Sequence, residues 1–273
     1  MAQSTRNQQG AETTTISISG GGFPQNAQDP FPTQTYGIRG ATPGDITLPI
    51  GAKYPPRNFA PTWRAWVYFG EFAGTDWTDS ITIDDPPCER ETLEEISTLL
   101  GYATAERFDA LGEIVAQDVS FVQYFYDLLA IDVGTHPATD TVIQVALNVG
   151  LMVVMYFKGQ YMRARPQQIA PALLPPVAVA GHPAYPSGHS TQSHLIAHCL
   201  GAVLAPDEPT QLKWKLLLMA LAARISINRE YAGVHYPSDT KAGECLAEKT
   251  FNLLCKDCPA FNDLLAEAGG EWA

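Results

Sequence analysis

Three groups of residues in the second half of the chain carry side chains suited to holding and attacking an oxyanion. Lys158 is followed after six residues by Arg165-Pro166, and Pro186-Ser187-Gly188-His189 stands directly before an apolar run. Arg229 is followed after five residues by His235 and after three more by Asp239. The first spacing predicts that Lys158 and Arg165 share one face of a helix, nearly two turns apart and ended with the help of Pro166. Two cations stacked in this way repel each other unless an anion sits between them. Ser187 is placed as an N-cap and Gly188 lets a ligand approach the backbone, so the unpaired N–H groups of the next turn form an oxyanion cradle. Gly233 permits a break after Arg229, and Pro237 suits the first turn of a new helix, which lets His235 and Asp239 face each other. A carboxylate that accepts from one imidazole nitrogen fixes the tautomer and frees the other nitrogen as nucleophile or ligand. Taken singly, these groups have ordinary structural readings: solvated cations, a capped helix, a common His–Asp pair. Taken together, their types are complementary.

The elements that must position these residues read as helices. Leu93, Ile96, Leu99 and Leu100, then Phe108, Leu111, Ile114 and Val115, recur at spacings of three and four. The segments at roughly Val119–Ile131, Asp140–Arg165, Gly188–Leu204, Thr210–Tyr231 and Pro237–Leu254 are long, largely apolar and free of internal proline, too long for strands. No alternating run bounded by hairpin turns interrupts them. The expected fold class is all-α, a single helical bundle over residues 62–273. Ahead of it, 16 of the first 61 residues are Gly or Pro, so 1–61 reads as an irregular arm lying over the core or over a partner subunit. A homo-oligomer with exchanged arms is compatible with that arrangement.

Composition bounds the partners. The chain has 273 residues, 45% hydrophobic and 17% charged, which excludes wholesale disorder. A formal charge of -12 repels nucleic acid and anionic membranes, so an anion site must be a local concentration of cations. The apolar stretch Val142–Phe157 is interrupted by Gln144 and Asn148 and reads as a buried helix, short of the roughly 20 apolar residues of a spanning one. No membrane insertion is expected. The first residues lack the apolar core of a secretory signal, so a cytoplasmic location is the default expectation. Five cysteines, Cys88, Cys199, Cys245, Cys255 and Cys258, are too sparse for a disulfide scaffold, and the Cys255–Cys258 pair has no second pair beside it. His194 and His198, four apart, read as packing residues, as do the aromatics Trp63, Trp66, Tyr68, Phe69, Phe72 and Trp77 and the set Phe121, Tyr124, Phe125 and Leu128.

Lys158-x6-Arg165-Pro166, Pro186-Ser187-Gly188-His189 and Arg229-x5-His235-x3-Asp239 resemble the signature shared by type 2 phosphatidic acid phosphatases, bacterial class A acid phosphatases and vanadium-dependent haloperoxidases. The match covers about eighty residues in the family's order, and Asn228-Arg229 stands where the family has Ser-Arg. The resemblance implies a helical bundle that holds a tetrahedral oxyanion. Lys158, Arg165 and Arg229 would neutralise its oxygens, Ser187 and the Gly188 N–H would add hydrogen bonds, His235 would bond the central atom axially, and His189 would act from the apical side.

Two activities follow from that resemblance. As a phosphatase, His235 attacks phosphorus, His189 protonates the leaving alkoxide, and Asp239 orients His235. As a haloperoxidase, orthovanadate bound through His235 allows hydrogen peroxide to oxidise bromide or iodide to hypohalous acid, which halogenates a small organic acceptor. His182, seven residues before His189, resembles the halide-side histidine of the bromoperoxidase branch, so the expectation is a vanadate-dependent haloperoxidase, an oxidoreductase with His182 among its catalytic residues. The alternative is a soluble acid phosphatase, a hydrolase acting on phosphomonoesters, with phosphate in the same cage. A noncatalytic oxyanion-binding protein would need the cations but neither His189 nor the His235–Asp239 pair.

Overall fold

Five helices begin with proline at the first helical position, where its missing N–H costs nothing and its fixed φ is already helical. They are α1 (Pro61–Ala73), α6 (Pro137–Tyr161), α7 (Pro166–Ile169), α10 (Pro237–Asp257) and α11 (Pro259–Gly269). Between them lie α2 (Trp77–Ser80), α3 (Glu89–Ala105), α4 (Arg107–Ser120), α5 (Gln123–Leu129), α8 (Gly188–Val203) and α9 (Glu208–Tyr231). The computed structural model describes residues 53–55, 58–204 and 208–272, and every regular element among them is helical. The expected arm, residues 1–61, falls for the most part outside the described residues.

Two helices form the centre. α6 packs against α1, α8 and α11, and α8 is enclosed by α6, α9 and α10. Val142, Val145, Val149 and Val153 of α6 and Leu195, Ile196 and Leu200 of α8 are buried in the shared core. α3 and α4 pack against α9 on the outside, where Phe108 and Val119 stay exposed. Of the aromatic cluster, Tyr68, Phe72 and Trp77 are buried while Trp63 and Trp66 face solvent.

Two helical expectations are corrected. The segment Val119–Ile131 is broken, because α4 ends at Ser120 and α5 restarts at Gln123. α6 ends at Tyr161 and does not reach Arg165: Met162 adopts left-handed φ 48° and the chain then runs extended. Lys158 and Arg165 therefore do not share a helical face, and Pro166 opens α7 rather than closing α6. The apolar reading of this region is also corrected. The stretch Pro137–Ile169 contains an 18-residue window of mean hydropathy 1.6, apolar enough to cross a membrane, because α6 extends beyond Val142–Phe157 at both ends. Of that window, 61% is buried inside the bundle.

The start of α6 is capped from the far end of the chain. Glu271 accepts from the N–H groups of Ala138 (2.7 Å) and Thr139 (2.8 Å) and from the Thr139 hydroxyl (2.7 Å), while Trp272 stacks on His136. A carboxylate there satisfies two unpaired helical donors and suits the positive end of the dipole. Glu271→Ala is expected to lower unfolding stability by about 1–2 kcal/mol in a denaturant titration; an unchanged midpoint would mean that water replaces the cap at no loss.

Candidate active site

The break predicted at Gly233 is present, with φ 75°. The chain turns sharply there, with the Gly233 N–H donating to Glu230 O (2.7 Å) and Val234 N–H to Arg229 O (3.1 Å), and α10 begins at Pro237. His235 stands just before α10 and Asp239 in its first turn. Asp239 is fully buried, and its Oδ2 accepts from His235 Nδ1 (3.0 Å) and from the Tyr236 N–H (3.1 Å). Its backbone carbonyl accepts from the Ser187 N–H (2.9 Å), and the Thr240 carbonyl accepts from Ser190 Oγ (2.8 Å). These bonds tie the first turn of α10 to the first turn of α8. Gly243 permits the close approach, since a Cβ there would lie 2.8 Å from both Ser187 O and Ser190 Cβ.

Ser187 caps α8, accepting from the Ser190 N–H (3.4 Å) and leaving its own hydroxyl proton to donate. A Cβ on Gly188 would meet only Val154, at 3.8 Å. Arg165 reaches in from the extended stretch after α6. Its Nε donates to His182 O (3.0 Å), one terminal nitrogen to Val234 O (2.9 Å) and His235 Nε2 (3.2 Å), and the other to His182 Nδ1 (3.0 Å). A guanidinium only donates, so His235 Nε2 accepts and His235 is neutral with its proton on Nδ1. His182 Nδ1 lies between the Arg165 donor and the Pro183 carbonyl (3.2 Å), which favour opposite tautomers. Burial and the neighbouring Arg165 and Lys158 hold His235 well below the ordinary imidazole range.

A cavity of about 150 Å³ gathers these groups. Arg165, His182, Gly188, His189, Arg229 and His235 line it, opposite an apolar wall that includes Leu151, Val154, Met155 and Val234. Arg229 donates to Ile114 O (2.7 Å) and approaches Asp118 Oδ1 (3.4 Å), while its buried Nε has no partner. His189 packs its ring on Phe121 at 4.9 Å, and burial with Arg229 nearby pushes its pKa down to about 3. Lys158 and Ser187 are fully buried behind this wall rather than lining it. Lys158 Nζ donates to the carbonyls of Pro183 (2.7 Å) and Ala184 (2.8 Å), which leaves one proton uncommitted, and burial beside Arg165 lowers its pKa to about 7. The orphaned Arg229 N–H and the open Gly188 fit a tetrahedral oxyanion of either phosphorus or vanadium, with the buried Lys158 contributing its charge from outside the lining.

Several neighbours were not legible as site residues in the sequence. Arg163, two residues before Arg165 in the same extended stretch, points the other way and grips Asp239 Oδ1 at 2.7 Å. Nothing in its spacing marks it, since residues two apart in an extended segment would share a face with Arg165. Asn228 faces away from the cavity and anchors α9 to α4, donating to Glu113 and Gln117 at 3.0 Å each. The remaining motif candidates are structural: His194 is buried with Nδ1 2.9 Å from Ser190 O, His198 stacks on Phe251, and all five cysteines are free. Among the described residues no cluster of His, Cys, Asp and Glu suits a metal ion.

Residues 138–258 match the PAP2 superfamily model, and the matched stretch contains every residue of the three motifs. Among solved structures, the chain is similar to the first transmembrane PAP2 type phosphatidylglycerolphosphate phosphatase from Bacillus subtilis, at 16% identity over 75% of this chain and 96% of that one, with a TM-score of 0.37. No curated protein matches the chain.

The charge state of the cage generates a prediction. With Lys158 near 7 and His189 near 3, an incoming dianion raises both and draws protons in. Sulfate, which stays a dianion from pH 6 to 9, is expected to bind with proton uptake and to weaken as pH rises through 7. Calorimetry in two buffers of different ionisation enthalpy measures this; identical heats in both would remove the coupling.

Proposed function

We propose that the protein hydrolyses phosphate monoesters through a covalent phosphohistidine on His235. The observation that carries this reading is the buried, neutral His235, whose Nδ1–H is held by Asp239 and whose Nε2 lone pair faces the cationic cavity. The PAP2 superfamily match over the same residues supports phosphatase chemistry above the peroxidase expected from His182.

In this mechanism the ester's phosphoryl oxygens take the free N–H of Arg229 and draw Arg165 away from His235 Nε2. That nitrogen then attacks phosphorus in line with the ester oxygen. As the P–O bond breaks, His189 gives its proton to the departing alkoxide. His189 is neutral in the unliganded cage and takes up a proton from solvent as the dianionic substrate binds beside it and raises its pKa. Water next attacks the phosphohistidine, the P–N bond breaks, and His189 takes the water's proton. Asp239 stays ionised and stabilises the His235 imidazolium that forms. Arg165, Arg229 and Lys158 offset the charge spread over the transferring group.

A second reading has one observation in its favour: His182 lines the cavity and is fixed to Arg165 by two hydrogen bonds. The same residues would hold orthovanadate, with His235 as the residue that ligates it. When bound, vanadate supplies the activation of hydrogen peroxide that oxidises bromide or iodide. In that case His182 presents its imidazole edge and His189 a proton-exchanging nitrogen to the cavity.

The test is a paired assay on metal-stripped protein: hydrolysis of a chromogenic phosphomonoester, and peroxide- and bromide-dependent halogenation of a phenol before and after orthovanadate is added. Hydrolysis inhibited by vanadate, without halogenation, is expected. Vanadate-dependent halogenation with negligible hydrolysis would overturn the phosphatase and install the second reading. His235→Ala is expected to abolish hydrolysis, and His189→Ala to reduce kcat by about 10²–10⁴-fold. A His235→Ala protein of undiminished turnover would exclude the phosphohistidine.

A further inference from the structure

Arg163 belongs to none of the three motifs, yet its guanidinium is the most heavily engaged cation near the cavity. One terminal nitrogen donates to Asp239 Oδ1 and Ser238 Oγ, both at 2.7 Å. The other donates to Glu95 Oε2 at 2.7 Å and Thr92 Oγ1 at 3.2 Å. The guanidinium carbon lies 3.8 Å from the centre of the Tyr236 ring, and the side chain is only 8% exposed. Glu95 closes the circuit, its Oε1 accepting from the Ser238 N–H at 2.7 Å. The Arg163 carbonyl accepts from the Ala184 N–H (2.9 Å), which fixes the stretch that carries Arg165 to the loop that carries the cradle.

We propose that Arg163 is a positioning residue that orients the Asp239 carboxylate, and through it sets the His235 tautomer, by gripping the oxygen His235 does not use. The inference rests on the reading of His235 as the nucleophile. Arg163 itself makes no contact with the cavity lining, so it acts one step removed from the reacting atoms.

The geometry gives the reason. A carboxylate offers two equivalent oxygens, and a lone His–Asp bond leaves it free to turn. With Oδ1 held by Arg163, and Oδ2 by the Tyr236 N–H, only one orientation meets His235 Nδ1. The surrounding charges make the grip necessary. Asp239 is faced by Glu95 from α3, by Glu230 from α9 and by Lys158 from α6. Without Arg163 the carboxylate would turn away from Glu95 and share Lys158 with the cage. A lysine at 163 would bring the charge but not the fork that spans Asp239 and Glu95 together.

Arg163→Gln in the full chain tests this with three readouts: sulfate binding by calorimetry, kcat and KM for a chromogenic phosphomonoester, and the 15N shifts of His235. The expected result is a sulfate affinity and KM within about threefold of wild type and a kcat lowered by about 10–100-fold, the range for groups that orient a ligating or attacking histidine. The His235 15N spectrum is expected to lose its single Nδ1–H tautomer, and Arg163→Lys to recover part of kcat. An unaltered tautomer with wild-type kcat, or equal losses in kcat and sulfate binding, would overturn the proposal. The 15N and sulfate readouts need no turnover, so they decide the role of Arg163 even where the hydrolase reading fails. If Arg163→Gln does not fold, Glu95→Gln reads the same device from its other end: a disturbed tautomer supports it, and a wild-type spectrum and rate overturn it.

Discussion

One fully buried carboxylate holds the site together. Asp239 takes hydrogen bonds from the His235 ring, the Tyr236 N–H and Arg163, and its own carbonyl takes the Ser187 N–H. A buried carboxylate is costly unless it is paired and hydrogen-bonded, and burial does raise its pKa to about 6, against the pull of Arg163. That cost is offset by joining four segments: α3 through Glu95, the stretch after α6 through Arg163, the cradle through Ser187 and the turn before α10 through His235. The glycine at 243 lets the two helix starts come close enough for this union.

The cage beyond Asp239 is built for a charge it does not itself contain. Lys158, Arg165 and Arg229 converge, and the carboxylates that face them are Asp239, beside Lys158 and Arg165, and Asp118, which approaches Arg229 at 3.4 Å. The protein meets the resulting repulsion by pairing what it can with carbonyls and by lowering the proton affinity of the rest. Pro183, Ala184, Val234 and Ile114 all supply carbonyl oxygens to these cations. Lys158 near 7 and the depressed histidines are the electrostatic signature of that arrangement. Under the proposed function an anion would complete the site, and its binding would be coupled to protonation of Lys158 and His189.

Much of the fold was legible because helices announce themselves locally. The apolar periods of α3 and α4, the N-cap at Ser187 and the proline opening α10 are properties of short windows, and the all-α class follows from them. The ends of helices were less legible. Nothing in the composition after Tyr161 forbids another turn, and the left-handed Met162 is stabilised by what the following residues reach in the tertiary structure. The apolarity of α6 was likewise underestimated, because a window centred on Val142–Phe157 omits the ends that packing against α1, α8 and α11 makes helical.

The sequence by itself determined the identities and order of the chemical groups: three cations, a capped glycine turn, two histidines and an aspartate, with breaks at Gly233 and Pro237. Those are local facts, set by side-chain type and backbone freedom within a few residues. Only the tertiary structure decided how they converge. Arg165 comes to His235 across an extended stretch, Lys158 works from behind a wall of carbonyls, Asn228 turns outward to α4, and Arg163 arrives at Asp239 from the opposite side. The partners in those contacts lie tens of residues apart, so they exist only once α6, α8, α9 and α10 have buried their apolar faces together.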